Sequence, residues 1–186
     1  RVSDVSDSRT PRTVGAYTYH PPFPAPSHSF MGGPLPIAGR RIAIAADEED
    51  LMHSEEEMIQ RRNQVKGCLW VFDVTDLSNI QPLSIFQVSE MDTPWSRAVP
   101  GRLGAHQFRE GMDDGDTLVY CAWFAGGLRI VDIADPGAPK EVGFFIPEPR
   151  DGRPGPQTND VDLDRRGLIY VVDRGPSFDV LEFNRG

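Results

Sequence analysis

Two histidines occupy matching places in the sequence, each shortly before a strand-like apolar run. His28 begins the segment 28–30 (HSF), and His106 begins the segment 106–108 (HQF). Asn159-Asp160 holds the matching place in a third segment. Imidazole nitrogen is a good ligand for Zn, Cu, Fe and Ni. If the fold brings His28, His106 and Asn159-Asp160 together, the sequence predicts a site for a divalent transition metal.

Three charged residues could complete such a site. Glu48 follows the strand after His28, and we expect it to reach the same end of the fold as a further metal ligand. Asp160 is a candidate additional ligand or general base. Arg109 could orient an anionic substrate through the planar fork of its guanidinium group. Two simpler interpretations stay open: hydrogen-bonded histidines that only fill space, and Asn159-Asp160 as strand-start or turn residues.

Other catalytic patterns are missing from the sequence. Neither a GxSxG nucleophile turn nor a phosphate-binding loop is present, and FAGG at 124–127 stands without the strand-helix alternation of a dinucleotide fold. Ser29 follows His28 directly, but adjacent residues of a strand point to opposite faces. We therefore expect no catalytic pairing of Ser29 with His28.

A repeat supplies the elements that must position these residues. Its unit is a strand, a turn of Asp, Ser or Thr, a Pro, and a second strand. The copies align on Asp4, Asp73 and Asp132 and cover RVSDVSDSRTPRTVGAY at 1–17, LWVFDVTDLSNIQPLSIF at 69–86 and GGLRIVDIADPGAPKEVGFF at 126–145. An Asp in such a turn can accept hydrogen bonds from its own backbone, so we expect these aspartates to be structural.

Further apolar strands lie upstream of the complete copies, at 41–47 and 117–124, which gives four strands per repeat. Alternating Val, Ile, Tyr and Phe favour strands over helices. The sequence therefore predicts an all-β fold, a β-propeller with about three to three and a half four-stranded blades. The predicted divisions of this single partial domain are 1–23 (partial blade), 24–90 (blade with an insertion at 47–66), 104–149 (blade) and 157–186 (final blade).

This blade count is low for a closed ring. Propellers have typically four to eight blades, and the chain begins with Arg1 in what reads as the interior of a strand. We therefore expect a fragment that lacks the N-terminal half of its propeller.

Composition limits the partners. The 28 acidic residues outnumber the 19 Lys and Arg, for a formal charge of −9, which disfavours binding to nucleic acid. The longest apolar runs fall short of the roughly 20 residues of a transmembrane helix. Cys68 and Cys121 stand in apolar stretches, and we expect buried thiols.

The string GGLRIVDIADPGAPKEVGFF, together with GAHQF at 104–108 and TNDVDLDRRGLIYVVDR at 158–174, resembles the C-terminal half of bacterial LVIVD-repeat β-propeller proteins. This resemblance implies a seven-bladed propeller. A more distant resemblance to the selenium-binding protein and methanethiol oxidase propellers implies copper-dependent sulfur oxidation at axial histidines, here His28 and His106. Arg109 stands where related sequences would have a second histidine.

The stretch that begins at Asn159-Asp160 is also similar to strands of gluconolactonase-type propellers, which implies calcium as an alternative ion. Two functions follow from the sequence. The first is a metal-dependent enzyme, oxidoreductase-like, that acts on a small-molecule substrate. The second is a non-enzymatic scaffold that binds a protein or cell-surface partner through long loops at 47–66 and 87–104.

Overall fold

The computed structural model describes residues 1–18, 27–32, 36–49, 54, 56, 67–89, 101–112, 116–150, 152–175 and 177–184. The elements bounded in these ranges are twelve β-strands. They are β1 (Val2–Asp4), β2 (Arg12–Gly15), β3 (Ser27–Gly32), β4 (Ile42–Asp47), β5 (Leu69–Asp73), β6 (Gln81–Phe86), β7 (Leu118–Ala122), β8 (Leu128–Asp132), β9 (Lys140–Phe145), β10 (Thr158–Leu163), β11 (Leu168–Asp173) and β12 (Phe178–Glu182).

The strands form four antiparallel sheets in chain order: β1-β2, β3-β4-β5-β6, β7-β8-β9 and β10-β11-β12. The segment before β7 adds to the edge of the third sheet, where Phe108 bridges Cys121 and the Arg109 N–H donates to the Tyr120 carbonyl at 3.0 Å. The predicted all-β class is confirmed. The four sheets contain two, four, three and three strands. The number of blades, their bounds and the closure of a ring stay predictions.

The second and third sheets each pack one face on the sheet before and the other on the sheet after. Strands in the middle of the stack are apolar on both faces, as strands buried on both sides must be. The second and third sheets share the largest cluster, which contains Ile42, Ile44, Ala46, Leu69, Val71, Val119, Cys121, Trp123, Val131 and Ile133. The third and fourth sheets share Leu118, Tyr120, Leu128, Ile130, Val161, Ile169 and Val171.

The stack ends on an uncovered face. The fourth sheet buries Ile169 and Val171 against the third sheet. Its opposite face exposes Val172, Phe178 and Val180 by 43%, 58% and 49%. The last sheet therefore leaves an apolar patch of three side chains open on this face.

The aspartates that align the repeat all cap turns, as predicted. The Oδ1 atoms of Asp4, Asp73 and Asp132 each accept a hydrogen bond from the backbone N–H two residues later, at 2.9–3.0 Å. A second aspartate in each turn, such as Asp135, repeats this contact. The same local chemistry thus closes the hairpins β1-β2, β5-β6 and β8-β9.

Both cysteines are buried, as expected, and burial raises the pKa of each thiol to about 12. The described residues contain no helix long and apolar enough to span a membrane. The insertion at 47–66 and the loop at 87–104 lie largely outside the described residues, and so does the scaffold function predicted for them.

The hairpin turns can be tested at Asp132, whose Oδ1 also accepts the Thr117 hydroxyl at 2.7 Å. We expect Asp132→Ala to lower the free energy of unfolding in urea by about 1 kcal/mol, because both bonds are lost. Asp132→Asn keeps an Oδ1 acceptor and should lose less than half as much. An equal loss in the two variants would contradict the turn assignment.

Candidate metal centre

A β-bulge positions His28. Ser27 pairs with Asp47 and Ser29 pairs with Ala46, so His28 is an extra residue between two regular pairs of β3 and β4. Bulges bend a strand and change the direction of a side chain, and they are common near functional sites. The imidazole of His28 thereby reaches the end of β4.

The matching places in the next two sheets are bulged as well. The backbone N–H of His106 donates to the Ala122 carbonyl, and the Ala122 N–H donates to the Gln107 carbonyl. Two residues, His106 and Gln107, thus lie opposite the single residue Ala122. In β10 the register with β11 shifts at Asn159. The three places matched in the sequence therefore share one local distortion at the start of their strands.

His28, Glu48 and His106 come together at this end of the sheets, as predicted. The Nε2 atom of His28 lies 3.7 Å from Glu48 Oε2, and the Nε2 atom of His106 lies 3.6 Å from Glu48 Oε1. Two donors that bind the same ion at about 2.1 Å lie no more than about 4.2 Å apart. These three residues offer ligand atoms within 4.8 Å of one another and could hold a metal ion.

The His106 ring has a fixed tautomer. Its Nδ1 lies 2.7 Å from the Asn159 carbonyl, which can only accept, so the proton of the neutral ring is on Nδ1. Burial lowers the pKa of His106, and the hydrogen bond to Asn159 opposes this shift only in part. The ring therefore presents a free lone pair on Nε2, which is the form that binds metals.

A hydrogen-bond relay orients His28. The Ser29 hydroxyl donates to Gln107 Oε1 at 2.5 Å and lies 2.8 Å from His28 Nδ1. Because the hydroxyl proton is used toward Gln107, the Ser29 oxygen accepts from the Nδ1–H group, and Nε2 of His28 is again free. The expectation that Ser29 and His28 point apart was wrong, because the bulge at His28 interrupts the alternation of the strand.

Glu48 directly follows Asp47, the last residue of β4. The buried Asp47 carboxylate accepts the indole N–H of Trp70 at 2.6 Å, which fixes the end of the strand. Arg102 then holds Glu48, because its Nη1 donates to Glu48 Oε1 at 2.5 Å and to the Glu49 carbonyl at 3.1 Å. The Arg102 side chain is only 9% exposed, so this ion pair fixes the position of the Glu48 carboxylate.

Phe124 forms the floor of the site. Its ring centroid lies 4.6 Å from that of His106 and 4.5 Å and 5.6 Å from the guanidinium carbons of Arg102 and Arg174. Phe124 has a φ of 41°, in the left-handed region that bulky residues rarely adopt. Such strain is typical of functional sites, and here it places the ring under three polar groups.

A cavity of about 430 Å³ borders the centre on the His28 side. This volume is within the range of small-molecule pockets. The residues that line it are His28, Ser29, Phe30, Met31, Gln107, Phe108, Glu110 and Gly111. A small molecule in this cavity would lie against the His28 imidazole.

The other predicted site residues are not members of the three-residue group. Asp160 is exposed on β10, and its Oδ1 accepts the Val161 N–H at 2.8 Å. The catalytic roles of Asp160 and Arg109 stay predictions. Asn159 uses its side-chain oxygen for the Nε of Arg174 at 2.6 Å, and a guanidinium beside this oxygen disfavours the calcium alternative.

Sequence reasoning missed Ser29, Gln107 and Arg102, which orient the group, and Arg174, which lies beside it. Ser29 and Gln107 directly follow the predicted histidines, and this proximity in sequence was their only signal. Arg102 and Arg174 carry no spacing pattern, because their roles depend on contacts between sheets.

No protein-family model matches the chain, and no curated protein is significantly similar to it. The resemblance to LVIVD-repeat propellers and the more distant one to selenium-binding proteins therefore stay predictions.

The relay to His28 can be tested with Ser29→Ala. We expect the metal dissociation constant to rise by about tenfold, because partners that orient a ligand typically contribute 10- to 100-fold in affinity. Nitrogen NMR of the metal-free protein should show His28 shifting away from the Nδ1–H tautomer. Ser78→Ala, which removes a hydroxyl from an exposed turn, is the matched control. An unchanged tautomer and affinity in Ser29→Ala would contradict the relay.

Proposed function

We propose that this protein binds one divalent transition metal ion through His28, Glu48 and His106 and that the site is catalytic. The proposal rests on one observation above all: two Nε2 atoms with free lone pairs face the two oxygens of one carboxylate at 3.6–3.7 Å. Neutral imidazoles and a charged carboxylate are the ligand forms that such ions need. Space-filling histidines would not need this shared orientation.

The ligand set favours catalysis over a purely structural role. Structural zinc sites use four protein ligands, whereas catalytic sites keep a position for water or substrate. Two histidines and one carboxylate also form the ligand set of non-haem iron oxygenases. The His28 and Glu48 side chains are 35% and 26% exposed, which leaves access for a small molecule from the adjoining cavity. Iron, copper or zinc is the expected ion, and iron or copper would make the protein an oxidoreductase.

When bound, the metal would supply Lewis acidity and, for iron or copper, electron transfer. The residues of this chain have separate tasks. Asn159 and Ser29 hold the imidazole tautomers, Arg102 fixes the position of the Glu48 carboxylate, and the Phe124 ring covers one face of His106. Together they keep the donors in place before any ligand arrives.

We also propose that the four sheets belong to an LVIVD-type propeller closed by further blades. Successive antiparallel sheets that pack face to face and a repeated Asp-capped turn support this architecture. In a ring, the open face with Val172, Phe178 and Val180 would be covered by another sheet. The chain as given would leave that apolar surface in water.

The open face makes a prediction about self-association. We expect the isolated chain to associate at micromolar concentrations in sedimentation velocity, because unpartnered apolar sheet faces bind one another. Val180→Lys should reduce this association, whereas Val142→Lys, at a comparably exposed site on β9 in the third sheet, should leave it unchanged. A monomeric chain at all concentrations would contradict the proposed end face.

Metal content tests the centre directly. We expect untagged protein loaded with Zn²⁺, Cu²⁺ or Fe²⁺ and then dialysed to retain about one equivalent by elemental analysis. His28→Ala, His106→Ala and Glu48→Gln should each lower retention at least tenfold, because each removes one of three ligands. Glu148→Gln removes an exposed carboxylate and should change nothing. Full retention in all three ligand variants, or none in the unmutated protein, would favour the scaffold function instead.

A further inference from the structure

Arg174 stands beside the proposed metal ligands and is not needed to hold any of them. Its Nη2 lies 3.9 Å from Glu48 Oε1, too far for a hydrogen bond, while its Nε donates to Asn159 Oδ1 at 2.6 Å. The guanidinium carbon lies 5.6 Å from the Phe124 ring centroid. The guanidinium group is therefore held at its Nε edge by Asn159, and one of its faces lies over the Phe124 ring.

Arg174 differs from Arg102 in what its donors do. Arg102 is buried and spends Nη1 on Glu48 and the Glu49 carbonyl. The Arg174 side chain is 43% exposed, and its two terminal nitrogens make no hydrogen bond to the described part of the chain. These nitrogens form the fork that binds a carboxylate through two parallel hydrogen bonds.

The charges around the centre also favour an anion. Two guanidinium groups, Arg102 and Arg174, lie beside the Glu48 carboxylate at 2.5 Å and 3.9 Å, while the Glu49 carboxylate accepts the backbone N–H of Leu103. A divalent ion held by neutral imidazoles would add two further positive charges. With the ion bound, the site therefore has an excess of positive charge that an anionic ligand would balance.

We propose that Arg174 binds the anionic group of the substrate and thereby selects small carboxylates or similarly shaped oxyanions. The inference rests on the proposed metal site, because Nη2 faces the same Glu48 oxygen as His106 Nε2. An anion in contact with the metal ligands is thus within reach of the Arg174 fork. Arg174 is a specificity-determining residue in this view, with Asn159 and Phe124 orienting it.

The test uses Co²⁺ as the metal and acetate as the anion, with imidazole as a neutral ligand of the same ion. Absorption spectra follow Co²⁺ binding first and then the titration with acetate or imidazole. We expect Arg174→Gln to raise the acetate dissociation constant by about tenfold or more, because a charge-assisted pair is lost. Imidazole binding should not change. Co²⁺ itself should bind as tightly or more tightly, because a neighbouring positive charge is removed.

Two further variants sharpen the result. Arg174→Lys keeps the charge without the fork and should recover acetate binding only in part. Arg9→Gln removes an arginine that is 89% exposed on the first sheet and should have no effect. Equal acetate affinity in Arg174→Gln and the unmutated protein, with Co²⁺ bound in both, would overturn the inference alone. Failure of the unmutated protein to bind Co²⁺ would overturn the proposed metal site and this inference with it.

Discussion

Burial of apolar side chains between successive sheets is the constraint on which the rest of the structure depends. The central strands β4, β5, β7 and β8 are largely apolar and buried on both faces, because their sheets are packed on both sides. The sheets stack in chain order with equivalent strand ends side by side. This stacking places residues far apart in sequence, such as His28, His106 and Asn159, at the same end. The metal centre is therefore a product of sheet packing, since no single loop or motif contains it.

Stacking alone would leave these side chains alternating between buried faces. The bulges at His28, His106 and Asn159 turn them toward one another. The bulged segments also orient histidines of the neighbouring sheets. The Asn159 carbonyl fixes the tautomer of His106, and Gln107 completes the hydrogen-bond relay to His28. The cost is local strain, visible at Phe124, whose ring supports both His106 and the two arginines.

Much of this arrangement could be read from the sequence, because it depends on repetition. The repeat revealed the strands and Asp-capped turns, and equivalent positions within it identified His28 and His106. Glu48 was found because it follows the strand after His28. Contacts that the repeat does not encode could not be found in this way. Arg102, which precedes the third sheet, contacts Glu48 at the end of the second sheet. The contact of Ser29 with His28 depends on a bulge that no residue pattern predicts. The number of blades and the closure of a ring likewise depend on more than the twelve described strands.

The most direct test of the account is a crystal structure of the Zn²⁺-loaded protein with anomalous scattering from the metal. The account predicts one strong anomalous peak at about 2.0–2.2 Å from Nε2 of His28, Nε2 of His106 and an oxygen of Glu48. Both Nδ1 atoms should keep their hydrogen bonds to Ser29 and the Asn159 carbonyl. An ion bound elsewhere, or coordinated through Nδ1 of either histidine, would contradict the proposed centre.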